Sequence, residues 1–126
     1  MTLIVQENGL IELIQGDSGE VGVDGLATDK NYRVFFGVRD SKRKHIGIEP
    51  YMDSNNSPSV IISIPSALTD LLEVGKDDEY TDYYYGFKVC DLETGYENTL
   101  LVANGKMGEE NILRVYPKKV EGLNNG

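Results

Sequence analysis

The sequence feature that most limits the fold is an alternation of apolar and polar residues with a period of two. Within residues 80–91, every second residue from Tyr83 to Val89 is aromatic or apolar. Residues 31–39 and 59–64 repeat this pattern. Alternation of this kind is typical of β-strands with one buried face. The sequence therefore predicts two packed sheets with a shared core that contains Val34, Phe36, Val38, Val60, Ile62, Ile64, Tyr85, Phe87 and Val89.

Shorter strands are predicted between turns rich in Gly, Asp, Asn and Ser. They lie at residues 10–15, 20–25, 44–50, 97–103 and 111–116. Helix signals are nearly absent, and the chain permits at most one short helical turn near residues 66–73. No linker interrupts the pattern, so we predict a single all-β, antiparallel β-sandwich domain over residues 1–126, with a loose tail at about 121–126.

Charge and cysteine content exclude several classes of protein. The 12 basic and 21 acidic residues give a net charge of -9, which argues against nucleic acid as the main partner, because such binding depends on neutralising phosphates. The single cysteine excludes an internal disulfide framework and is consistent with synthesis in a reducing compartment. No apolar run approaches the length that spans a membrane, and the first residues lack the features of a signal peptide.

The sequence offers little for nucleophilic catalysis. His45 is the only histidine and Cys90 the only cysteine. A cysteine and a histidine can act as nucleophile and base, but nothing in their spacing brings these two together. The alternation places each on the outer face of its strand, with Ile46 and Ile48 facing inward beside His45. A zinc site needs several such ligands and is excluded.

Carboxylates surround the long tyrosine-rich strand. Asp77, Asp78, Glu79 and Asp82 precede or open it, and Asp91 and Glu93 follow. Paired carboxylates can hydrolyse glycosides, and several together can bind calcium. Charged loops also simply keep a β-domain soluble. We therefore predict no catalytic, cofactor or metal site, and leave calcium binding as an alternative.

One structural signature points to a particular sandwich. Leu72 and Gly75 precede Tyr83, which opens the alternating strand. This spacing resembles the tyrosine corner of immunoglobulin-like sandwiches, in which the phenol bonds back to the upstream connection. The sequence therefore predicts a hydrogen bond from Tyr83 to the backbone before its strand.

Taken in order, several segments resemble small phage virion proteins with immunoglobulin-like folds, of the tail, baseplate and head-fibre type. The matching segments are residues 11–19, 32–40, 60–64, 69–75, 83–88, 96–100 and 115–122. The chain departs from this pattern at residues 76–80, where the connection is longer than the usual short glycine turn. The resemblance brings no catalytic residues with it.

The resemblance implies a non-enzymatic structural module of a virion, produced in the cytoplasm of a bacterial host. Its partners would be other virion proteins, and copies of the chain would form a homo-oligomer, with a trimer as one candidate. The alternative is a glycan- or calcium-binding β-sandwich used in host-surface recognition. A bacterial immunoglobulin-like adhesion domain is a third interpretation.

The alternation also predicts where such a module makes contacts. Phe35 and Tyr84 lie on the outer faces of two strands that are neighbours in an immunoglobulin-like sheet. Arg33, Arg39 and Lys88 flank them. Because aromatic and arginine side chains are enriched at the centres of protein interfaces, we predict that these residues form an interface.

Overall fold

The computed structural model describes residues 4–5, 9–100 and 111–120. Over these ranges the chain forms nine β-strands and one short helix. The elements are β1 (Ile4–Val5), β2 (Ile11–Ile14), β3 (Gly19–Asp24), β4 (Tyr32–Arg39), β5 (Tyr51–Asp53), β6 (Ser59–Ile64), α1 (Ser66–Thr69), β7 (Thr81–Asp91), β8 (Glu97–Leu100) and β9 (Asn111–Tyr116). The all-β prediction, with a single helical turn within residues 66–73, is confirmed.

The strands form two sheets. The large sheet has seven strands in the order β1-β2-β9-β7-β4-β5, and β8 pairs with the second half of β7. The small sheet consists of β3 and β6. All described strand pairs are antiparallel except β2 with β9, which run parallel from Ile11 opposite Leu113 to Ile14 opposite Tyr116. The expectation of a purely antiparallel sandwich is therefore wrong at this pair, because β2 and β9 are distant in sequence and no hairpin turn fixes their relative direction.

The inner faces of the two sheets form one core. All nine side chains predicted for it are buried, and Val34, Phe36 and Ile62 are fully enclosed. Further core residues come from strands at both ends of the chain and from the segment around α1, including Ile11, Leu13, Val21, Val23, Leu68, Leu72, Leu113 and Val115. The ring of Phe36 lies 5.4 Å from that of Phe87 and 5.7 Å from that of Tyr85, so three aromatic rings meet at the centre.

The predicted tyrosine corner is present. The hydroxyl of Tyr83 donates a hydrogen bond of 2.5 Å to the carbonyl oxygen of Glu73, and Leu72 beside it is fully buried. Burial raises the pKa of the Tyr83 phenol, which therefore stays a donor. This bond ties the start of β7 to the connection that leaves α1.

The strand predicted at residues 44–50 is wrong. Only one bridge forms there, between Arg39 and His45, and the strand that pairs with β4 is β5, further along the chain. The backbone of Gly47 has a φ of 65°, which interrupts an extended chain, and Pro50 has no N–H to donate. As a result Ile48 does not face the core but is 64% exposed, whereas Ile46 packs against the core as expected.

The strand predicted at residues 97–103 is described as far as Leu100. Its remaining residues, and the tail predicted at about 121–126, lie outside the described residues.

Replacing Phe87 with Ala tests the position of the core. Because the side chain packs in the aromatic centre, we expect the free energy of unfolding to fall by about 3–5 kcal/mol in a denaturant titration. Ile61, which points outward from β6 and is 57% exposed, provides the control: Ile61→Ala should change it by about 0.5 kcal/mol or less. A loss at Phe87 no larger than that of the control would contradict the register of β7.

Alkaline pH tests a second buried tyrosine. The hydroxyl of Tyr85 donates to the carbonyl oxygen of Gly9 at 2.5 Å, and burial raises the pKa of Tyr85 to about 12. An unfolded tyrosine loses its proton near pH 10. Between about pH 10 and 12 the unfolded chain thus binds fewer protons than the folded one, and the free energy of unfolding must fall as pH rises. Tyr85→Phe should make that fall shallower, while Tyr96→Phe, at an exposed position, should not.

Candidate functional site

The candidate site is the outer face of the large sheet. Alternate residues of each strand point away from the core, and residues opposite one another in the register form rows across this face. On this face, charged side chains contact aromatic side chains in two similar clusters. We call this surface, made of the outward residues of β2, β9, β7, β4 and β5, the outer face.

The first cluster joins β4 to β5. The guanidinium of Arg33 donates two hydrogen bonds to the carboxylate of Asp53, at 2.7 and 3.1 Å, and lies 4.5 Å from the ring centre of Tyr51. The Tyr51 ring in turn packs against Phe35, with centres 5.6 Å apart. The bonds from Arg33 lower the pKa of the Asp53 carboxyl, so the pair is ionised at neutral pH.

The second cluster repeats this arrangement between β7 and β9. The guanidinium of Arg114 donates to both oxygens of Asp82, at 2.8 and 3.1 Å, and lies 4.2 Å from the ring centre of Tyr80. The Tyr80 ring also contacts Tyr116, whose hydroxyl donates to Glu12 at 2.7 Å. This bond raises the pKa of the Tyr116 phenol.

Both clusters hold an arginine in a fixed position. Paired bonds to one carboxylate and stacking on a ring fix the orientation of a guanidinium, which a lysine cannot reproduce. The side chains of these two clusters are therefore ordered before any partner arrives, and they have little rotamer freedom left to lose on binding.

The residues predicted as an interface occupy the middle of the outer face. Phe35 lies opposite Lys88, and Tyr84 lies opposite Arg39. Phe35 and Tyr84 are half-buried, and the two cations are exposed. The two aromatic residues share one face but are not adjacent, since about 13 Å of strand separates their rows. Arg33 belongs to the first cluster, one row beyond Phe35 on the same strand.

A glycine pair separates the two rows. Gly37 lies opposite Gly86, and neither contributes a side chain to the outer face. The carboxylate of Glu49 extends over Gly37, where an added Cβ atom would be 2.8 Å from its oxygen. No described atom lies within 4 Å of the position that a Cβ of Gly86 would take. We call this depression, floored by Gly37 and Gly86, the glycine trough.

The two arginine clusters were not predicted from the sequence. A signal for them exists, because each contains a tyrosine two residues before an aspartate, in Tyr51-Met52-Asp53 and in Tyr80-Thr81-Asp82. Residues at this spacing lie on the same side of a strand. The arginine of each cluster lies on a neighbouring strand, and its position becomes known only with the register.

His45 and Cys90 are not brought together. His45 bridges to Arg39 at one end of β4, and Cys90 lies opposite Arg33 near the other end. Six residues of strand correspond to about 20 Å, far beyond hydrogen-bond reach. The carboxylate of Glu49 lies 3.7 Å from Nδ1 of His45.

The carboxylates around β7 have separate roles. Asp82 belongs to the second arginine cluster. Asp91 accepts the backbone N–H groups of Glu93 and Thr94 and pairs with Lys30, and these bonds, that of Glu93 foremost, lower the pKa of its carboxyl. The described part of the chain contains no group of three or more His, Cys, Asp or Glu side chains that could hold a metal ion. It also contains no helix long and apolar enough to cross a membrane.

Comparison with known proteins supports the fold. No known protein family and no curated protein matches the sequence. Among solved structures, the chain is similar to the crystal structure of the periplasmic chaperone SfaE, with a TM-score of 0.53 and 8% sequence identity. The match covers 87% of this chain and 54% of the chaperone, so the chain spans about half of that protein's length. The fold is an immunoglobulin-like β-sandwich. At this identity the likeness extends to the fold alone.

Substitution of His45 or Cys90 by Ala tests whether these residues matter to the fold or to any thiol chemistry. His45 is exposed beside the end of β4, and Cys90 lies at an outward position of β7, so we expect each variant to change the free energy of unfolding by about 0.5 kcal/mol or less. Thiol-dependent hydrolysis that either substitution abolishes would contradict the prediction that the chain has no catalytic site.

Proposed function

We propose that this chain is a non-enzymatic structural module of a phage virion, which binds other virion proteins through its outer face. It would be produced in the cytoplasm of a bacterial host and carried in the particle. The resemblance of several segments to phage tail, baseplate and head-fibre proteins supports the virion assignment. The immunoglobulin-like fold is consistent with it.

The observation that carries the proposal is the order of the outer face. Aromatic and arginine side chains are the residue types most enriched where protein interfaces are tightest. Here two arginines are each held by a carboxylate and a tyrosine ring, at 2.7–3.1 Å and 4.2–4.5 Å respectively. A surface with this composition and this rigidity is suited to protein contact.

The charge of the chain is consistent with a protein partner. With a net charge of -9, the molecule repels the phosphates of nucleic acid and anionic membrane surfaces. Two cations of the outer face are engaged with carboxylates of the same face, Arg33 with Asp53 and Arg114 with Asp82. We propose neither nucleic acid nor membrane as a partner.

Incorporation into particles tests the proposal. In a phage that encodes this chain, quantitative mass spectrometry of purified particles should find it at a fixed copy number. The double variant Phe35→Ser, Tyr84→Ser removes two aromatic side chains from the middle of the outer face and should greatly reduce that copy number. Ile61→Ser, on the outward side of the small sheet, is the control and should leave the copy number unchanged.

Two results would contradict the proposal. One is absence of the wild-type chain from purified particles. The other is equal incorporation of the double variant and the control, which would remove the outer face from assembly even if the chain is a virion component. Thermal melting of both purified variants verifies that each still folds.

Glycan binding is a second candidate, favoured by one cleft. A cavity of about 520 Å³ lies beside β2 and β9, and its lining includes Tyr116, Glu12, Glu79 and Lys119. The carboxylates could accept hydrogen bonds from sugar hydroxyls, and the aromatic ring could pack against the C–H groups of a sugar. Glycan or calcium binding would raise the melting temperature in the presence of sugar or Ca²⁺, whereas a module that binds only proteins would show no such shift.

A further inference from the structure

We propose that two copies of this chain associate face to face through the glycine trough and the rows beside it. The proposal rests on the outer face being a protein-binding surface, and it names the partner as a second copy related by a two-fold axis. This axis would lie between the two outer faces, nearly parallel to the strands and midway between β4 and β7. The interface would therefore be closed and would contain each contact twice.

The register of β4 and β7 makes the middle of the outer face complementary to itself. Phe35 lies opposite Lys88, and Arg39 lies opposite Tyr84, so each row holds one aromatic residue and one cation. The proposed axis places β4 of one copy over β7 of the other. Phe35 then faces Lys88 of the second copy, and Arg39 faces its Tyr84. Each of these four residues, two aromatic and two cationic, then faces a residue of the other type, as a cation–π contact requires.

The glycine trough lies at the centre of this arrangement. Under the same rotation Gly37, with the carboxylate of Glu49 over it, faces Gly86 of the second copy, which has no side chain and leaves room for that carboxylate. Face-to-face sheets pack about 10 Å apart, with strand directions about 30° from parallel. Each of the two rows beside the trough lies only two residues from the Gly37–Gly86 pair. A 30° angle between the strands of the two copies therefore displaces the facing rows by only about 3 Å.

Glu49 adds a charge contact. Its carboxylate lies over Gly37 of β4. The rotation brings Lys88 of the second copy over Phe35, two residues along β4 from Gly37, a distance that long side chains can span. Association therefore adds a cation from the second copy near this carboxylate.

The distribution of charge favours this face over the rest of the surface. The small sheet presents Glu20 and Asp24 on its outward side, and residues 76–80 include three successive acidic residues. In the middle of the outer face, Arg39 and Lys88 outnumber Glu49. Two copies of an acidic protein repel each other least where their surfaces carry balanced charge.

A swap of two residues tests the complementarity. Phe35→Lys would place two lysines face to face across the axis, twice per dimer, and should raise the dimer dissociation constant by about 30-fold. The double variant Phe35→Lys, Lys88→Phe puts a lysine opposite a phenylalanine again and should restore most of the loss. Sedimentation equilibrium of the purified chain over a range of concentrations measures both constants.

A glycine substitution gives an independent test. Gly86→Leu should fill the trough and prevent association, and nothing described within 4 Å opposes a Cβ at this position. Gly22→Leu is the matched control on the outward side of the small sheet, where an added Cβ meets only the carbonyl oxygen of Val60 at 3.8 Å. The control should dimerise like the wild type. Neither glycine has a left-handed backbone, so both variants are expected to fold.

Several outcomes would overturn the proposal. They are a monomeric wild type at millimolar concentration, a trimer, or a swap variant that associates no better than Phe35→Lys alone. A Gly86→Leu variant that melts well below Gly22→Leu would show that the trough is filled by the chain itself. In each case, incorporation of the chain into particles through the outer face would still be open to its own test, so the two proposals fail separately.

Discussion

The antiparallel pairing of β4 with β7 determines both the core and the outer face. Eight residues of β4 pair with eight of β7, from Tyr32 opposite Asp91 to Arg39 opposite Tyr84. A shift of one residue would turn the buried side chains of one of the two strands to solvent and place either Arg39 or Lys88 in the core. Because an unpaired charge is costly to bury, this register is strongly favoured over its neighbours. The same register aligns Gly37 with Gly86 and so creates the glycine trough.

Three hydrogen-bonded anchors hold β7 in place. The phenol of Tyr83 ties its start to Glu73, and the phenol of Tyr85 reaches Gly9 near the other end of the sequence. At its end, the carboxylate of Asp91 organises the following turn by accepting two backbone N–H groups. Anchors at both ends and near the middle limit the motion of the strand. The outward residues of β7, which belong to the candidate interface, are therefore displayed from a fixed backbone.

Much of the fold could be predicted from the sequence, because alternation with a period of two directly reports which residues face the core. This is why the core prediction is confirmed. The single helical turn and the tyrosine corner at Tyr83, which were predicted from local residue spacing, are also confirmed. Alternation does not report direction or pairing partner, so the parallel pair of β2 with β9 was missed. It also failed at residues 44–50, where the left-handed backbone of Gly47 outweighs an apolar pattern that suits a strand. The sequence placed Phe35 and Tyr84 on one face, but their separation by a glycine pair, and the pairing of Arg33 and Arg114 with carboxylates, depend on register.

The two sheets differ in charge, and this difference would limit how copies associate. The outward residues of β3 and β6 include Glu20 and Asp24 but no cation, whereas on the outer face Asp53 and Asp82 are paired with arginines. At physiological salt, charges act over about 8 Å, so the sign of the surfaces in contact matters more than the net charge of the chain. The acidic small sheet, whose strands would otherwise offer edges for unwanted pairing, is kept apart from its copies by repulsion. The balanced outer face has no such barrier, and a closed two-fold contact there uses the surface once and leaves no site for open-ended growth.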